Sequence, residues 1–325
     1  MIHRLLVLLA ASVWCSAANA QSNPPETQWP DRPIRVIVPF QPGGIADVIM
    51  RIVGQKLGAR LGQQIVVENR VGAGGKAGTE AVARAEPDGY TLGFANTSTH
   101  AIAPSMTANL TFDPVKDFAP VAMIGNSPFV LAIYPGLPAK TVQELVALAK
   151  SKPRSLSFAS AGTGTLAHLA GVLFERLAHV EMVHVPYRGT NQAMVDLMEG
   201  RIDSQFATIP PTLQYIRTGK MRALGVTGEK RSRALPDVPT VAEGGVAGYE
   251  LSLWQAIVAP GAVPRAIVAR LNREIIEILK EPDTIEKLDG LGVESEPGTS
   301  EALGSRISAD IVKWRDVIKD TKSNP

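Results

Sequence analysis

Residues 34–51, IRVIVPFQPGGIADVIMR, constrain this 325-residue chain more than any other stretch. Ile34, Val36, Ile37 and Val38 make a short β-branched apolar run of the kind that forms a buried strand. Pro39, Pro42, Gly43 and Gly44 stop it, because proline cannot donate to a sheet ladder and paired glycines let the backbone approach another group closely. Ile45, Ile49, Ile52, Val53 and Leu57 then recur at helical spacing. The unit is strand, glycine loop, helix N-terminus. The first amides of a helix have no internal partner and sit at the positive end of its dipole. Such a loop holds a small carboxylate or phosphate without any charged side chain. Asp47, in the first turn, has two readings: a residue of that site, or a cap that suits the dipole.

The N-terminus reads as a secretory signal peptide covering residues 1–20. His3 and Arg4 are followed by an apolar run at 5–11, and Ala18-Asn19-Ala20 forms a small-residue cleavage site before Gln21. The apolar run is too short to span a membrane. The single cysteine, Cys15, lies inside this segment and follows Trp14, where a lipoprotein signal requires a small residue. A chain starting at Gln21 has no cysteine, so no disulfide supports its fold. Its formal charge falls from +2 to +1 with the loss of Arg4. That leaves no electrostatic footprint for nucleic acid or an anionic membrane surface. The expected location is the periplasm, and the length calls for two lobes rather than one core.

Along the chain, residues 21–29 read as a loose leader, and strands then alternate with helices. Apolar strands are expected at 64–68, 91–95, 118–124, 130–134, 156–159, 182–185, 202–206, 223–226 and 251–258. Helices are expected at 79–85, 141–150 with a Thr141/Glu144 capping box, 166–177, 191–199, 213–217, 264–280 and 309–319. The alternation predicts an α/β protein with mixed, mostly parallel sheets flanked by helices. Ligands then bind beyond the carboxyl ends of strands. That rule selects the loops at 40–44, 69–75, 96–98, 160–165, 186–189 and 207–208. The second of two matching devices, Ser160, Ala161, Gly162, Thr163, Gly164 and Thr165, repeats the opening unit.

Other motifs carry less. Gly72-Ala73-Gly74-Gly75-Lys76-Ala77 matches a dinucleotide loop, but its helix is short and no acidic residue ends the next strand, so no cofactor is expected. No nucleophile elbow and no metal-ligand spacing is present. His168 reads as either facing a cleft or lying on a solvated helix face. Arg188 reads as a clamp on a second carboxylate or a surface ion pair, and Phe40 and Tyr187 as pocket walls or packing residues. An exported α/β hydrolase or isomerase with His168 or His100 as base is the rival function; a structural surface protein is a third.

The ordered set PIRVIVPFQPGGIAD, VENRVGAGGKAGTEAVARAEPDGYTL, ANTSTHAIAPSM, FDPVKDFAPVAMI, FASAGTGTLAHLAG, HVPYRGTNQAMVDLMEGRID, IRTGKMRALGVTGEKRSRALPDVPTVAEGG and VAPGAVPRAIVARLN resembles the Bug family. These are the solute receptors of tripartite tricarboxylate transporters. The resemblance implies a two-lobed, Venus-flytrap periplasmic binding protein of type II and no enzymatic activity. It implies a discontinuous first lobe, residues 21–129 and 252–325, with residues 130–251 as the second. It also implies a monomer that grips a carboxylate with loop amides, small hydroxyls and water. The matching positions are Phe40, Gly43, Gly44 and Asp47 in lobe one and 160–165 in lobe two, with Thr97 and Ser98 at the border. Membrane subunits of the transporter, or a sensor protein, are the implied partners. The sequence departs from the family where Gln255 and Ala256 follow Trp254 and where Ala207 ends a strand, so tricarboxylate specificity does not follow.

Overall fold

The computed structural model describes residues 29–323 apart from 108 and 188. The signal peptide, residues 21–28 of the leader and Arg188 therefore lie outside the described residues. Trp29, grouped with the leader above, is packed into the protein at 6% exposure.

Strand β1 (Ile34–Val38) lies between β2 (Ile65–Asn69) and β3 (Thr91–Asn96), parallel to both. Helix α1 (Ile45–Leu61) follows β1, and α2 (Lys76–Ala83) joins β2 to β3. A wide helical turn, Thr97–Ile102, leads from β3 into the single turn α3 (Ala103–Met106). Next comes β4 (Phe118–Ile133), one continuous strand. The chain then runs α4 (Val142–Ser151), β5 (Ser157–Ser160), α5 (Leu166–Ala178), β6 (Val183–Pro186), α6 (Thr190–Met198), β7 (Ser204–Thr208), α7 (Ile209–Arg217) and β8 (Arg222–Val226). It returns through β9 (Ser252–Pro260), α8 (Arg265–Leu279), α9 (Pro282–Gly290), β10 (Glu294–Gly298) and α10 (Ser300–Ser323).

The strands follow one hydrogen-bonded order, β2-β1-β3-β9-β4-β7-β5-β6, with β8 and β10 also on β4. Parallel pairing is confined to β2-β1-β3 and to β7-β5-β6; every pairing made by β4 or β9 is antiparallel. The sheet is thus mixed, with a nearer balance than the alternation alone implies, because two long strands run against the rest. One of them changes partner along its length. β4 pairs with β9 from Phe118↔Pro260 to Pro128↔Ser252, and from Phe129 onward with β7 and β8. The sequence reading has two strands here, 118–124 and 130–134, where the structure has one. Gly125 is demanded by packing: a Cβ there would lie 2.3 Å from the Glu294 carbonyl oxygen of β10.

Four further expectations shift. α7 begins at Ile209, because Pro210 and Pro211 occupy its first turn, where a missing N–H costs nothing. α9 and β10 carry too little apolar signal to have been read, and α10 starts at Ser300. At α4 the Thr141 hydroxyl accepts the Glu144 amide, but the Glu144 carboxylate accepts from the Lys140 N–H, so the box does not close on Thr141.

Two buried layers cover the sheet. Val36, Val38, Ile49, Val53, Phe94, Ile257 and Leu271 pack beneath α1 and α8. Leu169, Leu173, Phe174, Phe206, Tyr249, Trp254 and Trp314 pack between the second group of strands, α5 and α10. At the join, the fully buried Thr227 ties the two chain crossings together. Its N–H donates to the Phe129 carbonyl (2.8 Å), and its hydroxyl accepts the Phe129 N–H (2.7 Å) and donates to the Leu251 carbonyl (2.7 Å). The Leu251 N–H returns to the Thr227 carbonyl (2.7 Å). Replacing Thr227 by Val keeps the shape and strands one buried donor and one buried acceptor, at roughly 1–3 kcal/mol each. We expect T227V to lose about 3 kcal/mol in urea denaturation, and T227S, which keeps the hydroxyl, much less. Equal losses in both variants would show that the hydroxyl bonds do not hold the join.

Candidate functional site

The glycine loop after β1 is shaped by its own contacts. Gly43 adopts φ +77°, and its N–H donates to Asp47 Oδ2 (2.9 Å). Asp47 is buried and also receives Arg51, with Nε at 3.0 Å from Oδ2 and Nη2 at 3.0 Å from Oδ1. The Arg51 guanidinium holds the Asp47 carboxyl below the usual carboxylate range. Asp47 is therefore committed to shaping the loop, with its charge balanced inside the first turns of α1. Gly44, at the N-cap position, supplies no side chain to cap the helix. The first-turn amides are left without a side-chain acceptor, the condition for anion binding. Phe40 packs edge-on against Phe94 (6.1 Å between ring centroids), and its carbonyl accepts from Asn69 Nδ2 (3.1 Å).

Gly44, Ile45 and Ala46 border a cavity of about 580 Å3. Phe40, Gln41, Phe94 and Asn96 continue the wall on the same side. Ser127 and Pro128 from β4 and Leu253 and Gln255 from β9 form the side at the join. Across it stand Thr208, Ile209, Pro210 and Pro211, with Leu291 and Gly292 at the edge. Two helix N-termini thus meet here, α1 at Gly44 and α7 at Thr208, and neither carries a side-chain cap. None of the lining residues is charged. The size and the apolar walls with few polar groups are those of a small-molecule site.

Residues 160–165 do not line this cavity. They form a second loop held from behind. Ser160 Oγ accepts the Gly162 N–H (3.1 Å) and is hydrogen-bonded with His184 Nε2 (2.7 Å). His168 Nδ1 accepts the Gly164 N–H (3.1 Å), and the Thr165 hydroxyl caps α5 through the His168 N–H (3.3 Å). Ala161 is half-buried and Thr163 exposed. This loop meets the first half of the molecule at Met106, whose Cε would lie 2.9 Å from a Cβ on Gly164. Tyr187 is half-buried; its hydroxyl donates to Asp196 (2.8 Å), and its N–H to the Ser160 carbonyl (2.9 Å). The buried Thr97 hydroxyl donates to the Ser252 carbonyl (3.2 Å) and accepts the Trp254 N–H (3.0 Å), tying β3's end to the return crossing. Ser98 beside it is half-buried.

His168 is not on a solvated face. It is buried and lies 4.1 Å, centroid to centroid, from His184, with Phe158 stacked on both rings. Burial pushes the His168 imidazole down, and burial with the neighbouring His168 pushes His184 down to about 4. His100 is fully enclosed and pushed down to about 3 by burial. No histidine borders the cavity, so the rival catalytic reading has no base there. The Gly72–Ala77 loop is used for packing: Gly75 faces Thr99 and the Phe40 ring, and Gly78 just beyond it faces Pro39.

Two sheet halves joined by paired crossings, with helix N-termini converging beside the join, define a two-lobed periplasmic binding protein. The profile described as "Tripartite tricarboxylate transporter family receptor" matches residues 49–322. Protein BugT of Bordetella pertussis is 34% identical over 319 residues, covering 98% of this chain and 97% of BugT. A TctC solute-binding protein from Polaromonas, solved without ligand, superposes with a TM-score of 0.82 at 27% identity, covering 90% of this chain and 99% of that one. An R. palustris protein solved with adipate gives 0.71 at 33% identity, covering 90% and 97%. The chain belongs to this family of Bug-type solute receptors, which are not enzymes. Among the described residues no helix is long and apolar enough to cross a membrane.

The imidazole pair gives a pH dependence with a defined sign. The unfolded chain takes up a proton on His184 near pH 6.5, whereas the fold refuses it until about 4. Stability is therefore highest above 6.5 and falls as the pH drops from 6.5 towards 4. Urea denaturation across this range should show a shallower slope for H184F than for the parent chain. An unchanged slope would remove His184 from the account.

Proposed function

We propose that this chain is a periplasmic receptor that captures a small carboxylate-containing solute between its lobes and delivers it to a tripartite tricarboxylate-type transporter. The observation that carries the reading is the uncapped N-terminus of α1 opening onto a cavity with no charged lining residue. Backbone amides at a helix start compensate one acid group there, and the Asp47 carboxylate in the same turn is already balanced by Arg51. That the related R. palustris protein was solved with adipate fits an acid ligand.

In this reading the lobes are residues 21–129 with 252–325, and 130–251. The exchange of β4 partners between Pro128 and Phe129, and the start of β9 at Ser252, support those bounds. The acid sits beside Phe40 at the Gly44 mouth of α1, on the helix-start amides beyond it, while Gly43, its own N–H held by Asp47, shapes the loop around it. Residues 160–165 and Tyr187 close from the second lobe, with Thr97 and Ser98 at the edge; the approach of Gly164 to Met106 supports their nearness. Ligand contacts made only on closure shift the population to the closed state, which membrane subunits or a sensor then recognise. The signal peptide is removed after Ala20 on export.

Gly44→Asp separates folding from binding. Its extended backbone (φ −73°, ψ 166°) suits any residue; a Cβ there meets the Gln41 carbonyl oxygen at 3.2 Å, a crowding that offsets the roughly few tenths of a kcal/mol by which an Asp N-cap betters glycine. The same carboxylate takes the position proposed for the ligand's. Calorimetry with a panel of aliphatic, alicyclic and aromatic acids should show at least a hundredfold weaker binding in G44D, with a melting temperature within a few degrees of the parent's. Undiminished binding in G44D would place the acid elsewhere.

A further inference from the structure

Resting on the receptor reading above, we infer that Gln255 selects the solute by accepting a hydrogen bond from an uncharged donor at its end remote from the acid. The carboxamide lies in the wall of the cavity at the join between lobes, and the residue is 2% exposed. Its Nε2 donates to Ser127 Oγ (3.1 Å). Its Oε1 is buried and has no partner among the described residues. A buried acceptor without a donor is costly, so a ligand that supplies one is favoured over a ligand that does not.

The charge of that donor is constrained as well. The cavity wall has neither an acidic nor a basic side chain. The α1 N-terminus answers one carboxylate; a second carboxylate would face Oε1 as acceptor against acceptor. An ammonium would be enclosed by closure without a counter-ion. A hydroxyl or a primary amide meets neither penalty. Between the two polar ends the wall is apolar, with Phe40, Phe94, Leu253 and Ile209, which suits an aliphatic or ring-bearing body. The solute class is therefore a monocarboxylate with an apolar body and a neutral hydrogen-bond donor at its far end. Ser127 is the positioning residue: by holding Nε2 it leaves Oε1 as the unpartnered carboxamide atom, enclosed in this arrangement, which the ligand's donor reaches when the lobes move around it.

The test uses matched trios on aliphatic, cyclohexane and benzene skeletons, each as the plain acid, the remote hydroxy acid and the diacid, titrated calorimetrically into the full chain. On the best skeleton the hydroxy acid should bind at least tenfold tighter than the other two. In Gln255→Met the ratio of hydroxy acid to plain acid should collapse towards one. In Ser127→Ala, where the carboxamide is free to turn, discrimination against the diacid should narrow. Thermal melts establish that each variant is folded, and Ser127→Ala, a half-exposed position, serves if Gln255→Met is not. A diacid that binds tightest in the parent, or a hydroxyl preference that survives Gln255→Met, overturns the inference while the receptor reading stands, provided G44D weakens all three acids alike. Binding of no acid in any trio overturns both.

Discussion

The structure depends on two strands that cross between its halves side by side and are tied at one buried threonine. Thr227 bonds to Phe129 on the outgoing crossing and to Leu251 on the return. Because both crossings hang from the same residue, neither half can shift without carrying the hydrogen bonds of the other. A second tie lies beyond it: Glu250, held below the ordinary glutamate range by Lys313 and Arg306 against the cost of its burial, fastens the return crossing to α10. Trp254 adds an indole bond to Asp310 of the same helix (2.7 Å). The join is therefore stiff along the strands, and its weakest stretch is the few residues where β4 changes partner.

Around this join the protein spends its polar side chains on backbone rather than on the ligand. Asp47 takes the Gly43 amide, His168 takes the Gly164 amide, and Ser160 takes the Gly162 amide. Each glycine loop is thus held by a residue behind it. What is left facing the cavity is uncharged: helix-start amides, aromatic and aliphatic walls and the Gln255 carboxamide. In the function proposed above, such a cavity would take shape and one acid group at low desolvation cost, since no protein charge has to be stripped of water there.

Much of this was legible in the sequence. The β-branched runs, the helical spacing after each glycine loop and the rule that ligands lie beyond strand ends lead to Phe40, Gly44, Asn96 and Thr208, all of which line the cavity. The resemblance to the Bug family also marked Gln255 as a departure, though not what it touches. Leu253, Leu291 and Gly292 were out of reach because they arrive from the far end of the chain through β9 and the α9–β10 link, and no short-range periodicity encodes that arrival. His168 misled for a different reason. A helical wheel places it opposite Leu166, Leu169 and Leu173, but α5 is covered on more than one side, by the strands with Phe158 and His184 as well as by α10. The continuity of β4 through Gly125 and Pro128 was hidden because both residues are there for neighbours, β10 and the turn of the join, that sequence spacing does not reveal.

The position of β9 sets an order of assembly. It lies between β3 and β4, although it is made more than a hundred residues after either begins. In a chain made N-terminus first, β1, β2 and β3 must wait as an open-edged fragment until residue 260 has appeared. The strands β5 to β8 with their helices are contiguous and need only the end of β4 to complete them. The second group of strands can form while the first is still unsealed, and the exposed flank of β3 during that interval is the edge most open to wrong pairing.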